Sequence, residues 1–211
     1  KKNLNSIKNK KKILSIGKKR LNQKFNGKIN PEIVYMKKSP YEKNKIKISK
    51  NFDAVIFLPN FDDAQHCNGK FIFTDFYDWI HETLNFLKIK KINVAIKPHP
   101  NETYNSSNFV NYLKKKFLNF IWLDEFTSNK LIFSKKPLFG ISVYGTVLHE
   151  LAYHNIIPIS AGNHSAVFYN FIFSSKSKNH YFKLINLAIK KKLKLPKNYK
   201  TQIAEYYYML N

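Results

Sequence analysis

Short, continuously apolar runs alternate with amphipathic segments over the last three quarters of the chain. The apolar runs are typical of strands buried on both faces of a parallel sheet, and they cover residues 54–58, 92–96, 120–123, 138–143 and 156–160. Apolar residues at helical spacing predict helices over residues 75–87, 105–117, 127–133, 145–154, 181–192 and 201–210. This alternation predicts an α/β fold, a Rossmann-like parallel sheet with helices on both faces.

The first fifty residues are basic and less regular. Two short apolar runs, residues 13–17 and 32–36, predict strands, and the lysine-rich stretch at residues 37–51 is typical of a linker. We therefore predict a boundary near residue 50. Residues 1–50 would be a basic N-terminal segment, a linker or the remnant of an N-terminal domain, and residues 51–211 would form the Rossmann-like domain.

The chain carries 37 lysines and arginines against 13 acidic residues, a formal net charge of +24. Such an excess suits an anionic partner, either nucleic acid or an acidic membrane surface. Arg20 is the only arginine, however, and arginine is preferred for bidentate contacts with phosphates and bases. The composition therefore argues against nucleic acid and is typical of codon bias in an A/T-rich genome. Peripheral contact with an anionic membrane stays open.

Two features of the sequence bear on its compartment. The lysine-rich start lacks the apolar core of a signal peptide. The single cysteine, Cys67, excludes an internal disulfide and a cysteine-based zinc site, and it fits a reducing environment. We therefore expect a cytoplasmic protein, with the inner face of the membrane as an alternative location.

Ligands of open parallel sheets bind beyond the carboxyl ends of the strands, so polar residues that follow a strand are the first candidates. After residues 54–58 come Asp62, Asp63 and His66. These three side chains are candidate catalytic bases. Adjacent carboxylates point apart, so the pair does not predict a metal site, and an ordinary solvated loop is the alternative.

A second candidate segment follows residues 92–96. Lys97 and His99 lie there, and Pro98 and Pro100 flank the histidine and restrict its backbone. Either cationic side chain is suited to contact a phosphate. A rigid turn with an incidental histidine is the alternative.

A third candidate segment joins residues 138–143 to the next helix. Ser142 and Thr146 supply hydroxyl donors, and Gly145 allows a ligand to approach the backbone. Unpaired N–H groups at such a strand–helix turn favour phosphate. Glu150 lies one turn further on, where it could accept a sugar or ribose hydroxyl, or else lie on a solvent-exposed face.

These segments occur in the order IKPHPNE at residues 96–102 and SVYGTVLHELAYHNIIPISAG at residues 142–162. Together with FLPNFDDAQHCNGKFIFTDFYDWIHETLNFL at residues 57–87, the set resembles the capsule polysaccharide biosynthesis proteins and related GT-B-type glycosyltransferases. The resemblance covers residues 51–175 and implies a C-terminal, nucleotide-sugar-binding domain. The expected activity is metal-independent sugar transfer, with no cofactor, from a nucleotide-sugar donor to a glycan or lipid-linked glycan acceptor.

The resemblance also implies roles for the candidate residues. The donor phosphates would lie at Gly145 and Thr146, near Lys97, His99 and Ser142. Glu150 would contact the sugar or ribose. Similar segments occur in glycerophosphotransferases of wall polymers and in sugar-nucleotide epimerases, and a noncatalytic or truncated scaffold relative is a further alternative.

Overall fold

The structure, a computed structural model, describes residues 9–27, 41, 46–65, 70–101, 103–166 and 168–210. The strands of this part are β1 (Ala54–Phe57), β2 (Val94–Lys97), β3 (Ile121–Trp122), β4 (Phe139–Ser142), β5 (Ile157–Ser160) and β6 (Phe173–Ser174). Its helices are α1 (Lys10–Phe25), α2 (Phe76–Lys88), α3 (Tyr104–Lys116), α4 (Asn129–Ser134), α5 (Val147–Tyr153), α6 (Lys178–Ile189) and α7 (Tyr199–Met209).

The six strands form one sheet in the order β3-β2-β1-β4-β5-β6, and every neighbouring pair is parallel. In the middle of the sheet, Ile56 of β1 pairs with Ile96 of β2 on one side and with Ile141 of β4 on the other. The chain builds outward from β1 to β3, then returns and builds from β4 to β6 in the opposite direction. The predicted Rossmann-like parallel sheet is confirmed, and its order reverses between β1 and β4.

Helices cover both faces of the sheet, as predicted. Buried side chains of α2, α3 and α6 pack on one face, where Trp79 and Tyr181 are fully buried. Side chains of α1, α4, α5 and α7 pack on the other, where Leu21 and Tyr207 are fully buried. Because both faces are covered, β1, β2 and β4 are buried along their whole length, which explains their continuous apolar runs.

Side-chain caps fix where three of the helices begin. Asp75 accepts a hydrogen bond from the Asp78 amide at 2.6 Å at the start of α2. Thr103 does the same for α3, and Ser177 for α6. Each cap satisfies an amide that has no partner within its helix. Two of them, at Asp75 and Thr103, orient helices that follow the carboxyl ends of β1 and β2.

The predicted strand at residues 13–17 is wrong, because these residues lie inside α1. The buried positions of α1 include Ile13, Gly17 and Leu21, a spacing of one helix face that packs along α7. A Cβ atom at Gly17 would lie 1.9 Å from the Ala204 carbonyl oxygen, so the glycine permits the close approach. The run was too short to distinguish a strand from a helix, and the conformation of these residues depends on their contact with the distant helix α7.

Two other sequence-based assignments have different outcomes. The predicted strand at residues 32–36 lies outside the described residues. Strand β6 is absent from the prediction because the apolar run beside it, at residues 171–173, is too short to predict a strand. None of the helices within the described residues combines the length and apolar composition needed to cross a bilayer.

Candidate functional site

A cleft of about 270 Å³ opens where the strand order reverses. Its walls are the last residues of β1, β2 and β4 and the segments that follow them, at residues 57–59, 97–100 and 142–147. The crevice outside the carboxyl ends of the strands at such a reversal is where open α/β sheets bind ligands. The topology alone therefore makes this cleft the candidate site.

The cleft brings together most of the residues that the sequence singled out. Its lining includes Asp63, Lys97, His99, Ser142, Gly145, Thr146 and Glu150. Asp62 is exposed and is not among the lining residues, and its carboxylate accepts a hydrogen bond from the Thr103 hydroxyl. His66 lies outside the described residues. The ligand-binding and catalytic roles of all these residues stay predictions.

His99 is held in one orientation by its surroundings. Its Nδ1 accepts a hydrogen bond from the Asn101 amide at 3.2 Å. Burial lowers the pKa of His99 below its ordinary value, Asp63 opposes that change and Lys97 adds to it. The neutral ring therefore carries its proton on Nε2, because Nδ1 is already an acceptor. His99 thus offers the cleft one N–H donor.

Lys97 is the last residue of β2 and is 4% exposed. Its Nζ donates to the backbone carbonyl of Glu125 at 3.0 Å, in the loop that follows β3. The side chain therefore spans two neighbouring strand ends and keeps a positive charge at the cleft wall. That placement favours an anionic ligand.

The turn between β4 and α5 supplies further donors. Ser142 is buried at the strand end, and Gly145 and Thr146 follow it before the seven-residue helix α5. Within the described part of the chain, the amides of Gly145 and Thr146 donate to no acceptor, and Thr146 makes no side-chain cap. A Cβ atom at Gly145 would lie 3.3 Å from the Ser142 hydroxyl oxygen. The turn therefore keeps backbone and hydroxyl donors at the cleft.

Tyr144 joins two walls of the cleft. Its hydroxyl donates to the backbone carbonyls of Ala64 and Gln65, at 2.8 and 3.0 Å. These carbonyls belong to the loop after β1, which also carries Asp63. The contact fixes the β1 loop against the β4 turn, so the two candidate segments keep a defined relation to each other.

Glu150 forms the floor of the cleft and is 1% exposed, so the alternative of a solvent-exposed face is wrong. Its Oε1 lies 2.7 Å from the Lys24 Nζ. Its Oε2 accepts hydrogen bonds from the Tyr41 hydroxyl at 2.5 Å and from the Asn129 amide nitrogen at 3.2 Å. Three protein groups therefore hold the carboxylate in place.

These partners keep Glu150 ionised. Burial alone raises the pKa of Glu150, but the Lys24 charge and the hydrogen bonds from Lys24, Tyr41 and Asn129 bring it below its ordinary value. Burial first, and then the Glu150 charge, raise the pKa of Tyr41 well above its ordinary value. Tyr41 therefore stays protonated and donates, and Glu150 stays an acceptor.

Sequence reasoning missed three residues of this region: Lys24, Tyr41 and Asn129. Asn129 begins α4, soon after β3, and the rule that identified the other segments would also have found it. No signal distinguishes Lys24 from the other lysines, or Tyr41 from its surroundings, because both meet Glu150 only through the fold.

His164 supports the β4 turn from the loop after β5. Its Nδ1 accepts a hydrogen bond from the Ala166 amide at 2.9 Å. Burial lowers the pKa of His164 to about 4, and a hydrogen bond to the Gly145 backbone acts in the opposite direction. The ring is thus neutral in the folded protein at neutral pH and lies against the candidate site.

This burial predicts a dependence of stability on pH. Because the pKa of His164 is lower in the folded protein than its ordinary value of about 6.5, the unfolded chain binds more protons between these values. The free energy of unfolding should therefore be largest above about pH 6.5 and fall as the pH drops towards 4. Urea unfolding across this range measures the loss, and His164→Asn, which keeps an acceptor for the Ala166 amide, should lose less. Equal losses in the two proteins would contradict the assignment.

Comparison with protein-family models and with curated proteins finds no match for the chain. Among the described residues, no group of three or more His, Cys, Asp or Glu side chains could hold a metal ion.

Proposed function

We propose that the cleft binds the phosphate-bearing part of a nucleotide-sugar donor. The protein would transfer the sugar to a glycan or lipid-linked glycan acceptor in the synthesis of a surface polysaccharide. The observation that carries the proposal is the convergence of donors at the reversal of strand order. His99, Ser142, Gly145 and Thr146 line the same cleft, with Lys97 in its wall, and the amides of Gly145 and Thr146 have no acceptor among the described residues.

The chemistry of these donors suits a phosphate. A neutral His99 N–H, a serine hydroxyl and two backbone amides all donate, and Lys97 supplies positive charge. Fixed donors of this kind stabilise the negative charge that develops on a leaving nucleotide phosphate, without a metal ion. The volume of about 270 Å³ is near the lower end of small-molecule sites. It therefore suits part of the donor rather than the whole molecule.

Asp63 is the candidate base within the cleft. It lies on the loop after β1, is exposed, and its Oδ1 accepts a hydrogen bond from the Asn60 amide nitrogen at 3.2 Å. In the proposed reaction an acceptor hydroxyl attacks the anomeric carbon and its proton passes to Asp63. The bond from that carbon to the phosphate oxygen breaks, and the nucleotide leaves with the electron pair. Asp62 is a weaker candidate for the base. It does not line the cleft, and its carboxylate already accepts a hydrogen bond from the Thr103 hydroxyl.

A ligand screen tests the proposal. We expect one nucleotide class among UDP, GDP, CMP, their sugar conjugates and CDP-glycerol to raise the melting temperature of the protein. His99→Ala removes a donor to a charged group, which should weaken binding by about ten- to a hundredfold. Calorimetric titration of both proteins measures the difference.

His180→Ala is the matched control, because His180 lies on α6 outside the cleft lining. This variant should bind the nucleotide as tightly as the wild type does. A wild-type protein that binds none of these ligands, or a His99 variant that binds as tightly as wild type, would contradict the proposed site. Selective binding of CDP-glycerol would instead favour a glycerophosphotransferase. Release of free nucleotide from a bound sugar conjugate separates a transferase from a noncatalytic relative.

A further inference from the structure

We infer that Asn129 is a specificity-determining residue of the cleft, and that it binds a hydroxyl group of the ligand together with Lys24. The inference rests on the proposed function, since it concerns the same cleft and the same ligand. Asn129 and Lys24 line the cleft beside Glu150 and are 4% and 1% exposed. Neither residue stands out in the sequence.

The orientation of the Asn129 amide follows from its neighbour. Glu150 is ionised and can only accept hydrogen bonds, so the group that faces it at 3.2 Å is the NH₂ of Asn129. The Tyr41 hydroxyl, which also binds Oε2, lies on the same side. The carbonyl oxygen Oδ1 is therefore turned away from Glu150.

This oxygen lacks a donor. Among the described residues, none donates a hydrogen bond to Asn129 Oδ1, although the atom is buried. Buried acceptors are nearly always paired, because an unpaired one has lost its hydrogen bonds to water without replacement. An unpaired acceptor in the lining of a cleft is explained if the ligand supplies the donor.

Lys24, in contrast, has N–H donors without an acceptor. Its Nζ lies 2.7 Å from Glu150 Oε1, and within the described residues the ammonium has no second acceptor. Glu150 engages one side of the ammonium, and its remaining N–H groups are still donors. Both Lys24 and Asn129 contact the same carboxylate, and both line the cleft.

A donor and an acceptor in the lining of the same cleft select the chemistry of the ligand. A hydroxyl group can accept from Lys24 Nζ and donate to Asn129 Oδ1 at the same time. A phosphate oxygen cannot donate to Asn129, and an apolar group would leave both protein groups unpaired. The floor of the cleft thus suits a hydroxyl of the ribose or of the transferred sugar, and the walls suit the phosphate.

Analogues that lack one hydroxyl test the inference in the full chain. UDP, GDP and CDP are each compared with their 2′-deoxy and 3′-deoxy analogues for the ribose. The glucose conjugates of these nucleotides are compared with deoxyglucose conjugates for the sugar. We expect the wild type to bind one parent compound about tenfold more tightly than its deoxy analogue, and Asn129→Ala to reduce this ratio to about twofold or less.

The ratio separates ligand contact from a structural role, because a merely loosened cleft weakens parent and analogue alike. Asn129→Leu, which keeps more of the volume, should lose the ratio too, and Asn108→Ala, at an exposed site on α3, should keep it. The inference is overturned if both Asn129 variants keep the wild-type ratio, or if the wild type binds every deoxy analogue as tightly as its parent compound. Either result leaves the proposed nucleotide binding intact. A wild type that binds none of the nucleotides overturns the proposed function, and the inference with it.

Discussion

Lys24→Met is expected to lower the free energy of unfolding by about 3–5 kcal/mol. The substitution leaves the Glu150 carboxylate, which is 1% exposed, without its counter-charge. The hydrogen bonds from Tyr41 and Asn129 remain, but they do not neutralise a charge that is shielded from water. Urea unfolding of the variant beside the wild type measures the loss.

Two further variants decide whether the charge is the cause. In Lys24→Met/Glu150→Gln, a neutral amide replaces the carboxylate and its oxygen can still accept from Tyr41 and Asn129, so most of the stability should return. Lys18→Met removes an exposed lysine from the same helix and should change stability by less than about 0.5 kcal/mol. A double variant no more stable than Lys24→Met would show that the ion pair is not what stabilises the floor.

Trp79→Ala should produce a loss of similar size on the other face of the sheet, about 3–5 kcal/mol. The indole is fully buried between α2 and α6, and its Nε1 donates to the Tyr181 hydroxyl at 3.0 Å. The Thr83 hydroxyl lies 2.9 Å from the same Tyr181 oxygen and donates to the Trp79 carbonyl at 2.7 Å. The truncation therefore creates a large cavity and removes one contact of a buried polar network.

Matched substitutions separate these two contributions. Trp79→Phe keeps most of the apolar volume and should cost less than the alanine variant. Tyr181→Phe removes only the hydroxyl and should cost about 1–3 kcal/mol, because it leaves the indole N–H unpaired. Thermal and urea unfolding of the three variants give the comparison. If Tyr181→Phe costs as much as Trp79→Ala, hydrogen bonding rather than packing dominates this core.

The sequence was sufficient to predict the layered sheet because its signals are local. Strands such as β1 and β4 are buried on both faces, so nearly every residue in them is apolar, and the run appears without knowledge of the partner strands. The apolar run at β6 is only three residues long, at 171–173, and was too short to predict a strand. The mostly apolar residues 13–17 gave a misleading signal, since their environment is set by α7 at the far end of the chain.

The candidate site divides in the same way. Its walls follow strands directly, so His99 and Gly145 could be placed at one edge of the sheet from their positions in the sequence. Its floor depends on contacts between distant segments, and Lys24 meets Glu150 across more than a hundred intervening residues. The buried environment of Glu150 was unpredictable for that reason, because nothing near it in the sequence indicates which charge lies next to it.

The packing of α1 on α7 also bears on the order of events in folding. Gly17 touches the Ala204 backbone, and Arg20 donates to the carbonyls of Tyr207 and Tyr208, 187 and 188 residues away along the chain. Closing so long a loop costs more entropy than pairing neighbouring strands, so we expect this contact to form late. On the ribosome, α1 emerges long before its partner exists. The nascent chain can therefore assemble its central strands before α1, the helix that carries Lys24, has α7 to pack against.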